Sequence, residues 1–113
     1  MLRVTWHKPI GGWHSLDDID LAEVAEAGVY IIWHEGNPGR VVRVGQGIVS
    51  DRIRVHRKDR AVTAYRPQGL RITWASVPWD LRDGVERHLA DKWKPLLGDA
   101  FPDVAPIVVN SPW

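Results

Sequence analysis

A hard carboxylate, a permanently charged guanidinium and a basic flank are what a protein needs to act on a phosphodiester, and this chain carries all three. Glu86 is an oxygen donor of the kind that holds one Mg²⁺ (or Mn²⁺) while the ion keeps most of its coordination for water and substrate oxygens. Arg52 cannot be deprotonated at neutral pH and can fork onto two phosphate oxygens. The net charge of +1 hides a strong asymmetry: Arg40 to Arg71 holds nine Lys or Arg against Asp51 and Asp59, a local +7 that leaves −6 for the rest. A basic third on an otherwise acidic chain is the electrostatic footprint of a polyanion partner, because each neutralised phosphate releases counterions. A solvated basic helix face gives the same composition. Phosphodiester hydrolysis further requires a base for the attacking water and positive charge on the developing phosphorane.

The elements that must position these residues are short. Val29–Trp33 and Val41–Val44 are β-branched and aromatic, and Gly36-Asn37-Pro38-Gly39 between them predicts a β-hairpin. After Gly45-Gln46-Gly47, the spacing of Ile48, Val49, Ile53 and Val55 or His56 predicts a helix to about Lys58 whose other face is almost wholly Arg. Leu70–Val77 alternates as a third strand with Leu70, Ile72 and Trp74 inward. Leu81, Val85, Leu89 and Trp93 at i, i+4 spacing predict the clearest helix, stopped by Pro95. Nearer the N-terminus, Leu2–Trp6 reads as a short strand, and Ser15 or Asp17 as the cap of a helix through Asp20–Ala27 that ends at Gly28. The order β-β-α-β-α predicts an α/β (α+β) domain: a small, mainly antiparallel three-stranded sheet flanked by helices.

In that frame Gly28-Val29-Tyr30 opens a strand, Arg43-Val44-Gly45 closes the next, Arg52 and His56 lie one helical turn apart, and Glu86 sits on the last helix. In order and spacing these residues resemble the GIY-YIG nucleases, over roughly residues 28 to 110. The resemblance implies that Tyr30 is the general base, Arg52 the phosphate-stabilising arginine, Glu86 the metal ligand and His56 an assisting group, with Gln46 following the second triplet. A phenol with an ordinary pKa near ~10 needs adjacent cations to serve as a base, and Arg43, Arg52 and the metal would supply them. Arg43 stands where the family usually has a second tyrosine. It cannot accept a proton, so it adds a phosphate contact or marks a site that binds without cutting. Asn110 takes the place of the family's late asparagine. The implied nucleic-acid surface is Arg43, Gln46, Arg52, Arg54, Arg57, Lys58 and Arg60.

Each of these residues also has an ordinary role: Tyr30 as a core aromatic, Glu86 as a solvated flank of the apolar stripe, Arg52 as a partner of Asp51 or Asp59, and Asn110 as a turn residue. Other chemistries fit the spacing less well. The five histidines show no H-x-x-x-H or H-E-x-x-H, Gly45-Gln46-Gly47 lacks the length and Lys-Ser/Thr of a P-loop, and no serine occupies a G-x-S-x-G elbow. The 113 residues, 44% apolar with seven tryptophans, fit one domain, with a core at about 28–110 and an extension at 1–27. Without cysteine, disulfide and thiolate-zinc frameworks are excluded and a cytoplasmic setting is the simpler expectation. No signal peptide or membrane span is read in it. The expected partner is nucleic acid, DNA in preference to RNA, with a protein partner to supply specificity. The alternatives are an inactive nucleic-acid-binding module and a protein-interaction module that presents Trp6, Trp13, Trp79 and Trp113.

Overall fold

Two β-branched runs separated by a Gly-Pro turn form the expected hairpin in the computed structural model, which describes residues 1–98 and 100–113. Strand β2 (Ala27–His34) pairs antiparallel with β3 (Arg40–Ile48), and Tyr30 faces Gly45. Ile32 faces Arg43 and Trp33 faces Val41, so Val42 is an extra residue and β3 carries a bulge just before Arg43. On its other side β2 pairs antiparallel with β4 (Leu70–Ser76), Tyr30 opposite Trp74.

The sheet has four strands, where the sequence predicted three. A two-residue strand β1 (His14–Ser15) pairs antiparallel with Ile72 and Arg71 of β4, giving the order β1-β4-β2-β3. Two residues are too few to show a period of two, which is why this strand is invisible in the sequence. The expected strand at Leu2–Trp6 reduces to a single parallel bridge between Leu2 and Val109. The helix expected through Asp20–Ala27 is a single 3₁₀ turn, Leu21–Glu23, with the Asp20 side chain accepting from Ala22 N–H. So short a helix is marginal without tertiary packing. Here the Glu26 carboxylate accepts from the Trp74 indole and contacts His7, while the Glu26 carbonyl accepts from Val49 N–H. These bonds draw the segment into extended backbone.

Helices cover both faces of the sheet. Helix α1 (Val49–Lys58) lays Val49, Ile53 and His56 on one face, beside Tyr30, Ile32, Val42, Leu70, Ile72 and Trp74. The inward direction of Leu70, Ile72 and Trp74 is as the alternation predicts. A four-residue helix α2 (Arg60–Thr63) follows, capped by Asp59. Helix α3 (Arg82–Trp93) packs Val85 and Leu89 on the opposite face, against Val29, Ile31, Val41 and Val44. The helix itself begins at Arg82, with Leu81 at its N-cap and still packed against this core. Lys94 ends the helix in a left-handed conformation, and Leu96 and Leu97 then donate to the carbonyls of Val41 and Val42 along β3. Among the described residues, no helix is long and apolar enough to cross a membrane.

The chain ends are tied together through one side chain. Asn110 accepts from Val4 N–H at 2.7 Å and donates to the Val4 carbonyl at 2.9 Å, while its own carbonyl accepts from the Trp6 indole. Asn110→Ala removes both side-chain bonds and leaves the part-buried Val4 groups unpaired. It should lower unfolding stability by about 1–3 kcal/mol, read from the shift of the urea midpoint at unchanged slope.

Candidate active site at the edge of the sheet

Strand β3 is an edge strand, so side chains from both faces of the sheet can meet around it. Tyr30, Arg43 and α1, with its Arg52 and His56, lie toward one face; Gln46 and α3, with Asp83 and Glu86, lie toward the other. The meeting depends on a missing side chain. A Cβ on Gly45 would stand 2.3 Å from the Tyr30 hydroxyl and 2.5 Å from its ring, so only glycine lets the phenol lie across β3 toward α1. There the Tyr30 hydroxyl and His56 Nε2 are 2.7 Å apart, and each residue is 1% exposed.

Burial pushes the His56 imidazole down to a pKa of about 4, and the Arg43 and Arg52 charges push in the same direction against a smaller opposing effect of Asp59. The ring is therefore neutral near neutral pH. With the Tyr30 O–H donating to Nε2, the imidazole proton sits on Nδ1, which has no acceptor among the described residues. The buried Arg43 Nε also lacks a hydrogen-bond partner among the described residues.

Glu86 is half-buried, and its pKa is raised, first by burial and then by Asp83; Arg43, the Gln46 side chain and Arg52 offset part of that rise. Asp83 precedes Glu86 by three residues, one helical turn, and accepts from the Gln46 amide at 2.6 Å. A half-buried carboxylate beside a second one is short of positive charge, and a divalent cation relieves that deficit. The donor set fits Mg²⁺ or Mn²⁺, which commonly take one or two carboxylates and complete their shell with water and phosphate oxygens. Among the described residues no group of three His, Cys, Asp or Glu is arranged as a metal cage. Asp83 has no place among the sequence-derived candidates, although its i, i+3 spacing from Glu86 was the available signal.

Tyr30, Arg43, Gln46, Arg52, His56 and Glu86 thus come together, and the other candidates do not join them. Arg57 donates to the carbonyls of Leu16 (2.7 Å) and Ile19 (2.6 Å), where it anchors the segment after β1. Arg54 pairs with Asp51 on the exposed face of α1. Lys58 and Arg60 are exposed and make no ion pair among the described residues. The Asn110 amide is taken up by Val4. Two further cations of the basic third are engaged elsewhere, Arg66 with Asp17 and Arg71 with Glu35. Of the tryptophans proposed as a partner surface, Trp79 is 80% exposed, whereas Trp6 and Trp13 pack partly against the α3 side of the core.

Comparison with known proteins returns no match: no protein-family profile, no curated protein and no solved structure is significantly similar to this chain.

The His56 shift makes a stability prediction. Its folded pKa lies below its unfolded value of 6.5, so the unfolded chain binds the proton more readily. The protein has its full stability above pH 6.5 and loses it as the pH falls toward 4, by roughly 3 kcal/mol from this residue. Urea midpoints measured across that window should fall more steeply for the wild type than for His56→Gln.

Proposed function

We propose that the chain is a metal-dependent endonuclease of the GIY-YIG kind, hydrolysing phosphodiester bonds of nucleic acid, with DNA preferred to RNA. The observation that carries this reading is the convergence at the β3 edge. A half-buried Glu86 stands beside Asp83 under the influence of the Arg43 and Arg52 charges, and the same two arginines act on the neutral His56 that is bonded to the Tyr30 hydroxyl. Arg52 and Arg43 would take the phosphate oxygens. Glu86, with Asp83 one turn away, would hold Mg²⁺ or Mn²⁺. When bound, such an ion supplies Lewis-acid stabilisation of the phosphoryl oxygens and a more acidic water. Tyr30, once deprotonated, would take the proton of the attacking water, with the neutral His56 positioning the tyrosine oxygen through the 2.7 Å contact. Because Tyr30 is 1% exposed, its oxygen must be uncovered when substrate arrives. A cytoplasmic setting fits a chain built without cysteine. A partner protein that supplies sequence specificity fits a domain this small.

A second reading, nucleic-acid binding without cleavage, is favoured by the same burial of Tyr30 and by Arg43 at the place of a second tyrosine. Nicking of supercoiled plasmid separates the two. The wild type should nick with Mg²⁺ or Mn²⁺. EDTA or Glu86→Ala should abolish nicking, and Tyr30→Phe should slow it by roughly 10²–10⁴-fold. Retardation of DNA at low salt with no nicking under any metal condition would establish the binding module instead.

A further inference from the structure

At the other end of β3 a cavity of about 400 Å³ is lined by Trp33, Gly39, Arg40, Val41, Trp93 and Trp113, a volume in the range of small-molecule sites. We propose that it receives an unpaired nucleobase of the strand whose phosphate lies at the Arg43–Arg52–Glu86 site, an inference that rests on the nucleic-acid reading above.

The walls are preorganised. Trp113 stands edge-on to Trp33 (4.9 Å, 89°) and to Trp93 (5.0 Å, 82°), and Trp13 braces Trp33 in the same manner (5.3 Å, 87°). Rings that fix one another's orientation have little rotamer freedom left to lose on binding. Charge then decides the occupant. A tryptophan-lined cavity suits either an organic cation, through the ring quadrupole, or a flat aromatic ligand, through stacking. Arg40 lines this cavity and the Lys92 ammonium stands 5.2 Å from the Trp93 ring, so a second cation would be repelled. Aromatic walls beside two positive charges suit an aromatic ligand that carries negative charge, which is the chemistry of a nucleotide.

Position relates the cavity to the candidate active site. Trp93 lies seven residues beyond Glu86, two turns along the same face of α3 or about 10 Å. That distance is roughly three nucleotides of stacked strand at ~3.4 Å each. A base inside a duplex is stacked on both faces and cannot enter, so the cavity selects strands with an unpaired base near the scissile phosphate: single strands, bulges or flaps.

The test is equilibrium binding in EDTA, at low salt, of a short oligothymidylate and of an abasic strand of equal length and charge. The wild type should bind the oligothymidylate roughly tenfold more tightly. Trp113→Ala should erase that preference and keep the abasic affinity. Tryptophan emission of the wild type, which needs no variant, should be quenched by the oligothymidylate and left unchanged by the abasic strand or by tetramethylammonium. Equal affinity for the two strands, or quenching by tetramethylammonium alone, would overturn the base pocket and leave the phosphate site standing. A Trp113→Ala variant that folds and keeps the preference would overturn it as well. Failure to bind either strand would overturn the nucleic-acid reading together with the pocket.

Discussion

Everything at the candidate site hangs on the absence of a side chain at Gly45. Because nothing projects there, Tyr30 reaches across β3 and its hydroxyl meets His56 on α1. That buried contact holds against the sheet the helix that also carries Arg52. It is also why the histidine must stay neutral: the imidazole is enclosed, and Arg43 and Arg52 are the charges that bear on it. One packing constraint therefore sets the helix position, the protonation state of a buried imidazole and the location of Arg52.

The second constraint is topological. An interior strand would separate the α1 and α3 faces of the sheet, whereas β3, at the edge, lets the Arg43 and Arg52 charges act on Glu86. Leu96 and Leu97 protect the start of that edge by donating to the Val41 and Val42 carbonyls, directly before the bulge that precedes Arg43. The start of that edge borders the tryptophan cavity, and its other end carries the cluster of charges. A strand of nucleic acid laid along β3 would meet aromatic walls first and phosphate-binding cations next.

The sequence made the hairpin, α1 and α3 legible because each depends on a local periodicity: β-branched runs on either side of a Gly-Pro turn, and apolar residues at i, i+4. That Tyr30, Arg43, Arg52, His56 and Glu86 would gather in one place was implied by the family resemblance and not by periodicity. What it concealed depends on contacts distant in sequence. Strand β1 exists through its pairing with Ile72 and Arg71, and the helix expected before Gly28 yields to the bonds of Glu26 with Trp74 and Val49. Arg57 looks identical to its exposed neighbours in a basic run, and only the fold turns it toward the Leu16 and Ile19 carbonyls. Asn110 resembles a site residue in sequence and spends its amide on Val4. The burial of Tyr30, which bears directly on catalysis, agrees with its ordinary reading as a core aromatic of an apolar strand with a satisfied hydroxyl.

The central claim is that a divalent cation and a phosphate share the β3 edge. The most direct measurement is titration of Mn²⁺ into isotope-labelled protein, followed by paramagnetic broadening of its amide NMR signals. The account predicts that Gly45, Gln46 and the turn from Asp83 to Arg87 broaden first, and that Glu86→Gln removes the effect. Broadening centred elsewhere, or an unchanged pattern in the variant, would contradict it.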